Sequence, residues 1–200
     1  MKKAILYIHG KGGNPQEGSQ YVEHCPGFDV IGVNFDGYLP WAVRPQIQAA
    51  YEEARRSYRQ IWILANSIGA YFAMDALKRE KIEKALFISP VLDMERLILD
   101  MMKWAGVSEE ELCDRGEIPT DFGETLSWEY LCFVRENPIQ WTIPTEILYG
   151  AKDHLTTRQT VEAFVSCHRA ALTVMEDGEH WFHTDGQLAF LKDWIRRVLL

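Results

Sequence analysis

Short continuous runs of apolar residues recur along the chain, and segments with helical spacing of apolar positions separate them. The runs are rich in β-branched and aromatic residues and end at glycine, proline or charged residues, as is typical of buried strands. The predicted strands are residues 4–8, 28–35, 61–65, 84–89, 145–149 and 171–175. Continuous apolar strands that alternate with helices indicate a parallel sheet covered on both faces, so the pattern predicts an α/β fold.

Between the runs, apolar residues recur three or four positions apart, which is the spacing of one helix face. Helices are predicted for residues 17–24, 41–59, the stretch after Ser67, 157–168 and 185–199. In the second of these, the apolar face consists of Ile47, Ala50, Tyr51, Ala54 and Tyr58. The last helix is expected to bury Leu188, Leu191, Trp194, Ile195 and Val198.

The alternation breaks in the segment 91–141, where the pattern predicts no strand. Helices are expected at 94–104, 109–113 and 127–136, within a single domain of residues 1–200. An insertion of this length exceeds an ordinary connection. It is either a subdomain that only packs or a lid over a substrate site. We favour the lid because aromatic side chains suit an apolar pocket; they are Trp104, Phe122, Trp128, Tyr130 and Phe133.

Composition narrows the class of protein. Apolar residues make up 47% and charged residues 25% of 200 residues, which is typical of a folded globular domain. The net charge of −8 argues against nucleic acid as a partner, because phosphate binding needs clustered lysine and arginine. The four cysteines are scattered without a CxxC pair, so a structural zinc site is not expected.

The sequence also bears on location. The apolar run near the N-terminus stops at His9-Gly10, which is too short for a signal peptide. No apolar stretch reaches the length of a membrane span. We therefore expect a cytoplasmic protein with reduced thiols and no membrane partner; its oligomeric state is left open.

The first candidate for chemistry is the segment Ala65-Asn66-Ser67-Ile68-Gly69, between a predicted strand and a predicted helix. A serine with small residues two places before and after it is the pattern of a nucleophile elbow, Gly-x-Ser-x-Gly, with alanine at the first position. The alternative is an ordinary helix N-cap, for which serine is also favoured.

Two more polar groups follow predicted strands. Asp153 comes after the strand at 145–149, and His180 after the strand at 171–175. Ligands of parallel α/β sheets bind outside the carboxyl ends of the strands, where Ser67 also lies. A serine needs an adjacent base to become a nucleophile, and a carboxylate holds that base in the productive tautomer. We therefore predict a catalytic triad of Ser67, His180 and Asp153.

These motifs, together with His9-Gly10-Lys11-Gly12-Gly13, Tyr149-Gly150-Ala151-Lys152-Asp153 and Gly178-Glu179-His180-Trp181-Phe182, make the sequence resemble a small α/β-hydrolase. The resemblance implies a three-layer fold with about six mainly parallel strands and a helical lid, without the family's first two antiparallel strands. It also implies an oxyanion hole made by the backbone N–H groups of Ile68 and Lys11. Substrate contacts are expected from His9, Gly10, Gly12 and Trp181.

Rival assignments stay open for the acid and the base. Asp93 follows the earlier strand at 84–89 and competes with Asp153. The alternative for Asp153 itself is a turn residue before the next helix. His154 and His183 compete with His180, and we expect His183 to begin the last helix. The spacing of His180 and His183 would suit a metal pair, but no carboxylate or cysteine cluster accompanies it, so no metal is predicted.

The resulting hypothesis is a serine hydrolase that cleaves a small-molecule carboxylic ester or thioester through an acyl-enzyme, without a cofactor. An amidase, a peptidase or a lyase with the same triad is a second hypothesis, because a fold does not fix a reaction. A scaffold that binds small molecules without catalysis is a third.

Overall fold

The structure, a computed structural model, describes residues 2–199. In that range the strands are β1 Lys3–Ile8, β2 Asp29–Gly32, β3 Gln60–Asn66, β4 Lys84–Ile88, β5 Glu117–Pro119, β6 Thr125–Ser127, β7 Thr145–Gly150 and β8 Ala170–Met175. The α-helices are α1 Pro40–Ser57, α2 Ile68–Leu77, α3 Met94–Ala105, α4 Glu109–Arg115, α5 Trp128–Glu136, α6 Arg158–Cys167 and α7 Asp185–Leu199. A 3₁₀-helix spans Pro15–His24.

The central sheet has the order β2-β1-β3-β4-β7-β8 among the described residues, and every neighbouring pair is parallel. On one face, Ile5 and Tyr7 of β1 pack in a core with Tyr21 of the 3₁₀-helix and Leu191 and Trp194 of α7. The helices α1 and α2 pack on each other and contact β3. The predicted α/β class with a parallel sheet is therefore confirmed.

Three boundaries differ from the prediction. The strand expected to reach Phe35 ends at Gly32, because Phe35 leaves the sheet to stack on His9. The helix expected at 17–24 is a 3₁₀-helix, which begins with a capping box between Asn14 and Glu17. The last helix begins at Asp185, so the expectation that His183 starts it is wrong.

The chain divides into two compact units, one formed by residues up to Leu92 and from Gln140 onward, the other by Asp93–Ile139. The second unit contains an antiparallel hairpin of β5 and β6, so the prediction of no strand in this segment is wrong. Each strand has three residues, which is too short to show alternation. Arg135 of α5 pairs with Glu95 of α3 and Glu109 of α4 and so ties these helices together.

Candidate active site

Ser67 lies in a tight turn between β3 and α2. Its φ of 53° and ψ of −122° are costly for a residue other than glycine. Backbone hydrogen bonds hold this conformation: the Ser67 N–H donates to Ile88 O at 2.9 Å, and the Ser67 carbonyl accepts from Ala70 and Val91. A strained residue that is held so firmly is a candidate for function.

The small residues of this turn have a steric cause. A Cβ on Gly69 would lie 2.5 Å from the carbonyl oxygens of Ile8 and His9, so α2 can approach β1 this closely only with glycine there. Ala65 is fully buried, and its methyl group is accommodated where the motif usually has glycine. The turn is therefore that of an elbow with one tolerated substitution.

The Ser67 hydroxyl does not cap its helix. No cap hydrogen bond from its side chain to α2 is present, so the interpretation as an ordinary N-cap is wrong. Instead, Ser67 Oγ lies 2.8 Å from His180 Nε2. The hydroxyl therefore has a base as its partner rather than a backbone N–H group.

Asp153 completes a chain of hydrogen bonds. His180 Nδ1 lies 2.7 Å from Asp153 Oδ2, and the Asp153 side chain is fully buried while His180 is 20% exposed. Asp153 Oδ1 accepts from the N–H groups of Leu155 and Thr156 at 2.8 and 3.0 Å. Since an ionised carboxylate only accepts, Nδ1 carries the proton and Nε2 is left to accept the Ser67 hydroxyl proton. The turn role considered for Asp153 is therefore real, but it accompanies the contact with His180.

The loop that carries Asp153 is anchored by Thr156. The Thr156 hydroxyl donates to Pro90 O at 3.0 Å, and the Tyr149 hydroxyl donates to Thr156 O at 3.0 Å. Burial, followed by the nearby charge of Asp153, raises the pKa of Tyr149, which keeps its phenol protonated as a donor. These bonds fix the carboxylate relative to β4 and β7.

The histidine loop, residues 176–184, packs tightly on the end of β7. A Cβ on Gly150 would lie 2.6 Å from backbone atoms of Gly178 and Glu179, and Lys152 N–H donates to Gly178 O at 2.8 Å. Gln187 of α7 is buried and bridges this loop: its Nε2 donates to Asp177 O at 3.1 Å, and its Oε1 accepts from His183 N–H at 3.0 Å. His180 is thus held from both ends of the loop.

The β1 loop, residues 9–14, passes beside the elbow. A Cβ on Gly10 would lie 3.3 Å from Ser67 Cβ. His9 is buried and stacks on Phe35 with ring centroids 4.1 Å apart. Its predicted contact with substrate stays a prediction. Gly12 N–H donates to the Tyr38 hydroxyl at 2.8 Å. The N–H of Ile68 belongs to the first turn of α2, where N–H groups lack an intrahelical acceptor.

The rival residues have other partners. Asp93 caps α3, with its carboxylate accepting from Arg96 N–H at 2.9 Å. His154 is exposed, and His183 Nδ1 lies 2.7 Å from Trp181 O and 3.4 Å from Glu179. Trp181, next to His180, is 77% exposed. Its predicted contact with substrate stays a prediction.

Sequence reasoning missed the supporting residues Tyr38, Thr156 and Gln187. Only Gln187 gives a signal: it lies four positions before Leu191, on the apolar face of α7, where a polar side chain needs a partner. The stripe predicted for this helix is correct for Leu191, Trp194 and Ile195, whereas Leu188 and Val198 are only half-buried.

Across residues 2–199, no group of three or more histidine, cysteine or acidic side chains is arranged to hold a metal ion. No helix in that range has the length and apolar character to cross a membrane.

Comparison with known proteins shows the fold. No protein-family model matches the sequence, and no curated protein matches it. Solved structures do match. Est1E from Butyrivibrio proteoclasticus with bound ferulic acid has a TM-score of 0.75 at 18% identity, over 100% of this chain and 88% of that chain.

Two further structures match over most of their length. For α/β-hydrolase domain-containing protein 10 from mouse, the TM-score is 0.70 at 15% identity, over 98% of this chain and 89% of that chain. For an esterase from Pyrococcus furiosus, the TM-score is 0.67 at 16% identity, over 98% of this chain and 80% of that chain. The predicted three-layer α/β-hydrolase fold is therefore confirmed.

Proposed function

We propose that the protein is a serine hydrolase that cleaves a carboxylic ester or thioester through an acyl-enzyme on Ser67. One observation carries the proposal: the hydrogen-bond chain from Ser67 Oγ through His180 to the buried Asp153, at 2.8 and 2.7 Å. If Ser67 only capped α2, its positive φ and its contact with His180 would have no explanation. If Asp153 were only a turn residue, its third hydrogen bond, to His180, would have none.

In the first half-reaction, Ser67 Oγ attacks the substrate carbonyl and its proton passes to His180 Nε2. Asp153 stabilises the imidazolium through Nδ1 and keeps the ring in this tautomer. The oxyanion accepts hydrogen bonds from the N–H groups of Ile68 and Lys11, and each such donor is worth about 3 kcal/mol in related chemistry. His180 then protonates the leaving alcohol or thiol.

In the second half-reaction, water takes the place of the leaving group. His180 removes a proton from the water, which attacks the acyl carbonyl of Ser67. Collapse of the tetrahedral intermediate releases the acid and returns the proton to Ser67 Oγ. The ring of Trp181 is exposed and lies next to His180 in the chain. It could pack on an apolar or aromatic group of the substrate, so we propose that the substrate carries one.

A fluorophosphonate probe tests the nucleophile. We expect the wild-type protein to be labelled on Ser67 and Ser67→Ala to stay unlabelled. Ser89→Ala is the matched control: Ser89 also follows a strand, has φ 43° and is buried, but within residues 2–199 its hydroxyl has no hydrogen-bond partner. Labelling of Ser67→Ala, or none of the wild-type protein, would contradict the proposal.

Substrate class needs a separate assay. Matched aryl esters, thioesters and anilides of acids from acetate to decanoate, with methyl ferulate as an aromatic acid, distinguish an esterase from an amidase. We expect ester and thioester turnover to exceed anilide turnover. The lid role of segment 91–141 remains a proposal within this hypothesis: Trp104→Ala with Phe122→Ala should selectively slow the longer acyl groups.

A further inference from the structure

The β1 loop is a turn rich in glycine whose shape depends on one phenol. Gly13 N–H donates to Gly10 O at 3.2 Å, and Gly12 has φ +74°, as residue i+2 of a type II turn requires. Its N–H belongs to the central peptide of the turn and donates to the Tyr38 hydroxyl at 2.8 Å. Reversal of this peptide would break the bond.

The ring of Tyr38 makes a second contact with the same loop. The Lys11 ammonium lies 5.5 Å from the ring centroid, within the range of a cation–π interaction. Tyr38 therefore contacts the two consecutive residues that flank the central peptide. The Lys11 N–H belongs to the preceding peptide of the same turn, between Gly10 and Lys11.

Tyr38 is itself positioned by α1. The side chain of Gln46 accepts from Asp36 N–H at 3.0 Å and donates to Asp36 O at 3.0 Å. Residue 36 is therefore fixed on both sides, two positions before the tyrosine. Gln46 of α1 therefore anchors the segment that leads to Tyr38, and the Tyr38 side chain contacts the β1 loop.

We infer that Tyr38 is a positioning residue that holds the Lys11 N–H in place for the oxyanion. The inference rests on the proposed function. Without the phenol oxygen, the loop keeps its glycines and their conformational freedom but loses the acceptor for its central peptide. Rotation of that peptide changes the backbone angles of the turn at Lys11 and Gly12, so the adjoining peptide, which carries the Lys11 N–H, is no longer held in one orientation toward the oxyanion.

The test compares Tyr38→Phe with Tyr58→Phe. Tyr58 is a matched control, because its hydroxyl also makes a 2.8 Å hydrogen bond, to Asp29 on β2. Both variants lose one hydroxyl and keep the ring. For Tyr38→Phe we expect kcat on an aryl ester to fall about tenfold with KM nearly unchanged, the result of losing an interaction made only in the transition state.

A trifluoromethyl ketone separates oxyanion stabilisation from a general structural effect. Ser67 Oγ adds to its carbonyl, the hydroxyl proton passes to His180, and the resulting oxyanion stays in the site. Its inhibition constant should rise about tenfold in Tyr38→Phe and stay unchanged in Tyr58→Phe. Equal behaviour of the two variants, or a loss confined to KM, would overturn the inference.

Hydrogen exchange keeps the inference testable if the protein hydrolyses no ester and its serine is not labelled. That outcome would contradict the proposed hydrolase function but would leave the positioning role of Tyr38 untouched. The peptide covering residues 9–14 should then still exchange faster in Tyr38→Phe than in wild-type protein or Tyr58→Phe. Unchanged exchange in this peptide would refute the positioning role itself.

Discussion

The histidine loop and the β1 loop lie at the carboxyl ends of β8 and β1, but they are held in different ways. The histidine loop is fixed by backbone contact between Gly150 and Gly178 and by a buried glutamine at both of its ends. The central peptide of the β1 loop is held by a bond to the phenol of Tyr38, an exposed contact. Backbone packing therefore fixes the position of the proposed base, His180. The position of the proposed oxyanion donor, the Lys11 N–H, depends instead on the side chain of Tyr38.

The largest effect is expected from adding a methyl group at Gly150, and the same change at Gly12 is its comparison. In Gly150→Ala the new Cβ would lie 2.6 Å from the histidine loop backbone, so stability should fall by about 1–3 kcal/mol. Displacement of His180 should lower kcat/KM by about 100-fold. In Gly12→Ala the Cβ meets no atom within 4 Å among the described residues, leaving a backbone cost of about 1 kcal/mol.

Thermal unfolding and ester kinetics on both glycine variants test this contrast. The comparison predicts that stability and activity fall together in Gly150→Ala. In Gly12→Ala, kcat/KM should fall by less than about tenfold. Equal losses in the two variants would show that the loops are not held differently.

An intermediate effect is expected for Gln187→Met. The substitution removes both hydrogen bonds to the histidine loop and keeps a similar volume, so the rate of fluorophosphonate labelling should fall about tenfold. Gln48→Met is the control, since Gln48 donates to Ala76 O at 3.1 Å away from this loop. A similar loss of labelling in both would assign Gln187 a role in stability alone.

The smallest effect is expected for Lys152→Ala. Lys152 is next to Asp153 and pairs with Asp177 at 2.9 Å, so it connects the loops after β7 and β8. Both side chains are exposed, and water screens such pairs. Melting temperature and kcat/KM should match wild type; a loss equal to that of Gln187→Met would show that surface charge also positions His180.

The sheet could be predicted because its central strands β1, β3, β4 and β7 are mostly buried and therefore appear as continuous apolar runs. The carboxyl ends of parallel strands lie at the same edge of a sheet. Because Ser67, Asp153 and His180 each follow a predicted strand, the prediction also placed these three residues at that edge. The structure brings these three side chains into hydrogen-bond contact. Their catalytic roles stay a proposal.

The supporting contacts were beyond the reach of sequence periodicity. Tyr38 and Gly12 are 26 positions apart and lie in loops, where no repeating pattern links a donor to its acceptor. The β5–β6 hairpin has three residues in each strand, less than a pattern with period two needs. The end of β2 is set by the stacking of Phe35 on His9, which is a tertiary contact.

The central claim is that Ser67 forms a covalent acyl intermediate, and mass spectrometry of a quenched reaction tests it most directly. Wild-type protein mixed with an excess of an aryl ester and stopped in acid should carry the mass of the acyl group on the peptide that contains Ser67. Ester turnover without any acyl group on that peptide, or acylation that persists in His180→Ala at the wild-type rate, would contradict the account.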